Sequence, residues 1–472
     1  MKKHNLYALV AAGLLAGGMS ITSASAADLG GNCCADLEER IAELEATTAR
    51  KGNRKVSLTV SGWVGQQVTF WDDGIESNTY VHDLGTTLGS HVKFTGSAQI
   101  SPGWSAGYVL QIEAIGSDGL TTNQDRPDGP AVYNLYSSAG GSTNGLGGVQ
   151  LLQSYWFIKS DSLGKVSVGK QSQASDNAAI LVDGSGSLVP ANWVAYDTNN
   201  FFIRTGDGGV LGTRWGGAGG GCGAMGGAWG DCNGLTQNVV RYDSPTFGGF
   251  SVSASWGEDD MWDVAGRYAG EWGGFKVAAA VAYNEVNSSS NGATINDPFS
   301  GSTINCNTTN APGCGGYNNL GNIDAQYVQA GAFVMHVPTG LFGLVNYGNM
   351  QGDIGAYDAD TWYGKIGLRS RLSALGHTVF YGEYLQADGA GDVGWFADGN
   401  NTATADGTIN VDKLTVWGGG IVQEIDAAAM SVWVKYRYQS LDTSVVNLVD
   451  PDIAPGGVED FQYVGVGGLI NF

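Results

Sequence analysis

From Val56 onward the chain alternates residue by residue between an apolar face and a polar one, and that period of two dictates strands rather than helices. In VSLTVSGWVGQQVTF, Val56, Leu58, Val60, Gly62, Val64, Val68 and Phe70 share one face, against Ser57, Thr59, Ser61, Gln67 and Thr69. Val92, Phe94, Gly96, Ala98 and Ile100 alternate with His91, Lys93, Thr95, Ser97 and Gln99. A soluble sandwich also has one dry face and one wet face. Here, however, long cations recur on the polar faces and are absent from the opposite ones. A solenoid or propeller would show a repeat of about 20–50 residues, and none is present.

Composition narrows the choice. Charged residues make up only 14% of the 472 residues and glycine accounts for 76 of them, whereas ~25% charge is usual in a soluble domain. Past the leader, no stretch approaches the ~20 apolar residues of a spanning helix. Weak alternation with few charges is the pattern of a transmembrane β-barrel, whose outer face meets hydrocarbon and whose inner face meets water. The final segment fits this. Phe472, Ile470, Gly468, Val466 and Val464 line one face of a strand that ends on an aromatic. In a closed barrel that strand pairs with Val56–Phe70.

The spacing of breaks supplies the topology. Tight turns are expected at Ser101–Gly103, Pro245–Gly249, Trp272–Gly274, Pro338–Gly340 and Ala427–Ala428. Long Gly-, Asn- and Asp-rich connections are expected between Asp72 and Gly89 and over 116–150, 172–235, 286–322, 388–410 and 441–458. Short turns on one side and long loops on the other fit an all-β antiparallel barrel of about sixteen strands.

Ahead of the barrel, a basic start, an apolar run from Leu6 to Met19 and Ala24-Ser25-Ala26 form a secretory signal peptide over 1–26. Residues 27–55 form an N-terminal segment with a short helix over 35–50, where Leu37, Ile41, Leu44 and Thr48 keep a coiled-coil-like spacing. Residues 56–472 are the barrel. In an exported chain, six cysteines suggest disulfides. Cys222 with Cys232 and Cys306 with Cys314 are the simple local pairings, and Cys33-Cys34 leaves an inter-chain bridge open.

A net charge of −22 excludes a nucleic-acid partner. No metal or cofactor is expected. Asp72-Asp73 and Asp358 with Asp360 lack a full calcium ligand set. No catalytic residues stand out either: His82, His91, His336 and His377 lie in unrelated contexts, and no phosphate-binding loop precedes a helix.

The polar faces carry Lys93, Arg241, Arg267, Lys365, Arg369, Arg371, Lys435 and Arg437. Charge on the lipid face costs ~2–4 kcal/mol at the midplane, so these residues should line the lumen as a basic wall. The loop after Lys170 offers Asp176 and Asp183. Folded inward, their carboxylates would face that wall across a narrow gap, and the field between them would sort solutes by size and charge.

The segments NVVRYDSPTFGGFSVSASWGEDD (238–260) and LGKVSVGKQSQASD (163–176), with the Phe-terminated last strand, resemble the alphaproteobacterial (Rhizobiales-type) outer-membrane porins. The resemblance implies a homotrimer of sixteen-stranded barrels in outer-membrane lipid, each with an inward third loop. It also implies that Phe472 is the assembly signal read by the barrel-assembly machinery. The function expected is passive diffusion of small hydrophilic solutes and ions, with no enzymatic step. A substrate-specific channel and a surface adhesion barrel with acidic loops are the alternatives.

Overall fold

The computed structural model describes residues 56–85, 87–114, 119–120, 122–125, 149–206, 208–218, 229–232, 236–257, 261–288, 294–296, 303–305, 323–352, 359–389, 393–396, 407–448 and 457–472. The expected signal peptide, the helix over 35–50 and five of the six cysteines lie outside these residues; Cys232 is described and buried.

Sixteen strands form the wall. They are β1 (Thr59–Asp72), β2 (His91–Ser101), β3 (Trp104–Ala114), β4 (Val149–Ser160), β5 (Gly164–Gln171), β6 (Gln237–Asp243), β7 (Phe250–Gly257) and β8 (Trp262–Trp272). The second half is β9 (Phe275–Ser288), β10 (Ile323–His336), β11 (Leu341–Gly352), β12 (Ala359–Ser370), β13 (Thr378–Gly389), β14 (Gly407–Ile425), β15 (Met430–Leu448) and β16 (Phe461–Asn471). Each is antiparallel to its neighbour, and β16 pairs back onto β1 with Val64 opposite Ile470 and Phe70 opposite Val464. Closure satisfies every strand edge within the wall, as hydrocarbon requires.

The alternation sets which side faces out. On β1, Val64 and Phe70 are exposed while Trp63, Gln67, Thr69 and Trp71 are buried toward the lumen. On β12, Trp362 and Ile366 point outward, the latter 72% exposed, and Tyr363 and Lys365 point inward. Exposed aromatics gather near both ends of the strands: Phe250, Trp272 and Phe275 beside short turns, Trp256 and Trp262 at the opposite rim. Such belts sit at the two membrane interfaces.

The short turns form where expected. Between β8 and β9 the chain reverses through Gly273 and Gly274, both at positive φ (59° and 80°); that pair of angles suits a two-residue hairpin, and residues with a Cβ resist it. At the seam, Phe472 N–H donates to Gly62 O at 3.0 Å and Gly62 N–H to Phe472 O at 3.1 Å. The Phe472 ring lies over the space a Gly62 side chain would fill, and it is 61% exposed on the outer face.

Three expectations need correction. The connection from Asp72 to Gly89 is not one long loop. It makes a tight turn, held by Asp73 Oδ1 accepting from Ile75 and Glu76 N–H, then a strand, Ser77–Asp83, that continues β2 upward along β1. Residues 84–90 then dip inward, burying Leu84 and Leu88, and Leu88 O accepts from Trp63 Nε1 at 3.0 Å. Secondly, β15 runs on to Leu448 and β14 starts at Gly407, so both strands reach into stretches expected to be loop. Thirdly, the connection over 172–235, expected as a long Gly-, Asn- and Asp-rich loop, contains strands and an apolar core of its own. It carries a small hairpin, Phe202–Arg204 with Val210–Arg214, and buries Trp193, Phe201, Ile203, Leu211, Trp215 and Trp229 to 1% exposure or less inside the barrel. These side chains join Trp71, Tyr80, Phe461 and Tyr463 of the wall in one apolar cluster.

Candidate functional site: the inward loop and its two walls

The loop leaves β5 at Gln171 and is seated first on β10. Gln329 Nε2 donates to Ser175 O and its Oε1 accepts from Ala179 N–H, both at 2.9 Å. Two residues on, the loop backbone lies directly against Gly331. A Cβ there would meet Ala179 O at 2.1 Å, so only glycine allows this approach.

Beyond this seat the loop is fastened to the wall β12–β15. Lys365 Nζ donates to Asp183 Oδ2 at 2.6 Å and to Ala191 O at 2.8 Å. Lys435 Nζ reaches Asp197 Oδ2 at 2.5 Å and Pro190 O at 3.1 Å. Arg437 forks onto Glu383 of β13 at 2.7 and 2.8 Å and donates to Asn192 O at 2.6 Å. Asp197 also accepts from Tyr463 OH at 2.7 Å and from Gln67 Nε2 at 2.9 Å. Burial alone would raise the Asp197 pKa, but the Lys435 ammonium overrides it and holds this carboxyl well below the usual carboxylate range.

The expectation of a gap between loop carboxylates and basic wall is therefore overturned. Asp183 and Lys365 touch, with neither side chain exposed. The physical reason is that a water-filled slit would leave both charges short of partners, whereas contact gives each a charge-assisted hydrogen bond.

The other basic residues fall into three groups. Arg369 grips Glu424 through Nη2 at 2.7 and 2.9 Å, and the more exposed Arg371 pairs with Asp426 at 2.5 Å near the short-turn rim. Arg241 pairs with Asp243 and donates to Ser172 O and Gln173 O at 3.0 and 3.1 Å, while Arg267 donates to Ala174 O at 2.6 Å. These two hold the root of the loop. Lys93 on β2 makes no ion pair or hydrogen bond among the described residues. Asp176 stands beside the loop root, where burial pushes its carboxyl up to about 6 against the opposing pull of Ser172 and Arg241.

Open space lies on both sides of the loop: a smaller cavity between Pro190, Asn192 and the β15 residues Trp433 and Lys435, and a larger one on the other side. The larger is bounded by Gln111, Gln153 and Trp63 of β3, β4 and β1, and by Asn177, Leu181 and Val189 of the loop. Lys93, Gln111 and Gln153 sit side by side on β2, β3 and β4. The Oε1 atoms of both glutamines are buried without a partner. A wall of polar groups left unsatisfied by protein is a wall prepared for water or solute.

A closed sixteen-stranded barrel with a folded-in third connection narrows the field of candidates, and the family comparison decides it. The model of the Gram-negative porin family matches residues 8–468. The chain belongs to that family. It is a porin of the outer membrane, and its barrel forms a pore.

Solved porins share this architecture. The fold is similar to the anion-selective porin from Comamonas acidovorans, with a TM-score of 0.51 and 18% identity over 88% of this chain and 100% of that one. It is also similar to OprB of Pseudomonas putida, with a TM-score of 0.52 and 11% identity over 93% of this chain and 97% of that one. At such identities the likeness speaks for fold alone. No curated protein matches the chain in sequence.

Four residues escaped the sequence reading: Asp197, Glu383, Lys159 and Lys165. Glu383 shares its face with Tyr381 and Leu385, all buried inward, and that parity was a usable signal. Lys159 and Lys165 likewise alternate with the outward Ile158 and Val166. Asp197 had no such signal, because the loop around it has no period.

Proposed function

We propose that this porin is a passive diffusion channel for small hydrophilic solutes and ions, and that they pass between the inward loop and the wall β1–β5. The observation that carries this is the contact of Asp183 with Lys365 and of Asp197 with Lys435, which fastens the loop to the opposite wall and leaves the larger cavity on the other side. Gln111 and Gln153 face that cavity, and Lys93 stands beside Gln111 in the register. In this reading Lys365, Lys435 and Arg437 anchor the loop, while Lys93, together with the loop-root pair Arg241 and Arg267, contributes positive field along the path.

The barrel works without a chemical step: selectivity is width and field. Its partners are outer-membrane lipid, two further copies in a homotrimer, and the barrel-assembly machinery, which reads Phe472. Residues 1–26 are removed as a signal peptide, 27–55 remain on the periplasmic side, and the loop cysteines form local bridges. The sequence motifs favour the alphaproteobacterial branch of the family.

Refolded protein in a planar bilayer should give stable stepwise conductance; a barrel that inserts yet passes no current would overturn the proposal. A substrate-specific channel is the second reading, favoured by the mixed lining of the cavity, with Trp63, Leu181 and Leu188 close to Gln111 and Gln153. Liposome swelling separates the two. Rates that fall smoothly with solute size support general diffusion, and one solute class standing far above its size supports specificity.

A further inference from the structure

The larger cavity differs in kind from the basic side chains around it. It lies between the β3–β4 wall and the loop, and no lysine or arginine lines it among the described residues. Its one carboxyl, Asp176, stands in the field of Arg241 and Arg267 at the loop root and accepts from Asn177 Nδ2 at 2.7 Å. An anion therefore meets no counter-charge in the cavity. A cation meets only a carboxylate whose charge the two guanidinium groups already offset, so neither ion is repaid for the water it leaves.

What the cavity offers is neutral hydrogen bonding. Gln111 and Gln153 are directly opposed across β3 and β4, which puts their Cβ atoms about 5 Å apart and lets both amides reach the same space. Each residue is 4% exposed, and the Oε1 of each is buried without a partner. From the loop side Asn177 adds a third unpartnered oxygen, its Oδ1. Three such oxygens on two sides of one space favour a guest that brings donors to both. Each amide also carries N–H groups, so a hydroxyl, which donates and accepts, fits it better than a group that does only one. Beside the amides the lining is apolar, with Leu152 of β4, Trp63 of β1, and Leu181 and Leu188 of the loop. That surface suits the C–H face of a guest and leaves its hydroxyls to the amides.

We infer that Gln111, Gln153 and Asn177 form a binding station for a short uncharged polyol between the loop and the wall β3–β4. The inference rests on the proposed path in one respect: the polyol reaches the station through the space beside the loop. It names the solute class that the mixed lining selects, in preference to ions and to donor-free molecules of the same size.

Erythritol is the probe, with the donor-free ether diglyme and the cation ethanolamine as comparisons. Saturation-transfer NMR on the full chain, folded in a detergent without hydroxyl groups, should show saturable erythritol binding. Diglyme and ethanolamine should bind about tenfold more weakly or worse, the order expected for two neutral hydrogen bonds. Gln111→Leu combined with Gln153→Leu should weaken erythritol binding by about tenfold. Lys413→Gln, which alters a charge paired with Asp442 outside the cavity, should leave it unchanged. Heat-modifiable migration on gels confirms that each variant is a folded barrel, and the comparison of the three solutes on the wild type decides the matter even if the double variant fails to fold. No saturable erythritol binding, equal binding of diglyme or ethanolamine, or unchanged binding in the folded double variant overturns the station. Bilayer recordings separate this from the path: binding without conductance contradicts the channel reading alone, and conductance without erythritol binding contradicts the station alone.

Discussion

Lys365 Nζ lies 2.6 Å from Asp183 Oδ2, and neither side chain is exposed to solvent. The two residues are 182 positions apart, so this one contact fixes where the middle of the inward loop sits. Removing one partner of a buried pair typically costs ~3–5 kcal/mol, because the other charge is left uncompensated. Lys365→Met should therefore release the loop from β12 without unfolding the barrel, whose ladder does not depend on it. Single-channel recordings should show larger conductance and frequent closures. A quiet channel of wild-type size would show that the pair does not hold the loop.

Two loop carboxyls respond to pH in opposite ways. Asp197 has its folded pKa held below the unfolded value, mainly by Lys435 acting against burial. Its contribution is present above about pH 4, the unfolded carboxylate value, and is lost only in stronger acid as pH falls through the folded pKa. Asp176 has its folded pKa raised to about 6 by burial. The folded protein then holds this proton more tightly than the unfolded chain, so stability declines as pH rises from about 4 to 6 and the penalty is complete above that. Asp176→Asn should stabilise the protein at pH 8, by about 3 kcal/mol in urea unfolding, and bring no gain at pH 4. Asp197→Asn should destabilise it at pH 8. Identical effects of Asp176→Asn at both pH values would remove the case for a perturbed carboxyl.

Gly331 is the point where loop and wall come closest, with no room for a Cβ before Ala179 O. Gly331→Leu should push the loop off β10 and toward the open side, narrowing the path. Smaller conductance with an unchanged fold by circular dichroism is the expected outcome. Wild-type conductance would mean that the loop yields at no cost.

Phe472 pairs by its backbone with Gly62 and covers it with its ring. Deleting Phe472 should lower the amount of heat-modifiable barrel in outer membranes several-fold, while the barrels that do form conduct normally. Normal levels of inserted protein would refute the role in assembly.

The barrel was legible because every strand repeats the same constraint. Val64, Phe70, Ile366 and Ile470 must face hydrocarbon, and alternation then places Gln67, Lys365 and Lys435 in the lumen. The strand Ser77–Asp83 was hidden because SNTYVHD is polar on both faces near the rim. The partners of the basic wall were illegible for a different reason. Asp183, Asp197 and Glu383 find Lys365, Lys435 and Arg437 across 54 to 238 residues, and such pairings depend on the route of a loop whose apolar residues, Trp193, Trp215 and Trp229, follow no period. Charges could be placed on a face from sequence. Which charges remain open to solute depended on where the loop came to rest.

In the proposed path, solutes pass on the β1–β5 side of the loop. Cysteines placed at Gln111 and Gln153 on that side, and at the inward Thr361 of β12 on the side where the loop is fastened, test it in bilayers against the wild-type barrel as baseline. A charged thiol reagent added during recording should cut the current at the first two positions and leave it unchanged at Thr361. Block at Thr361 with no effect at Gln111 and Gln153 would contradict this path.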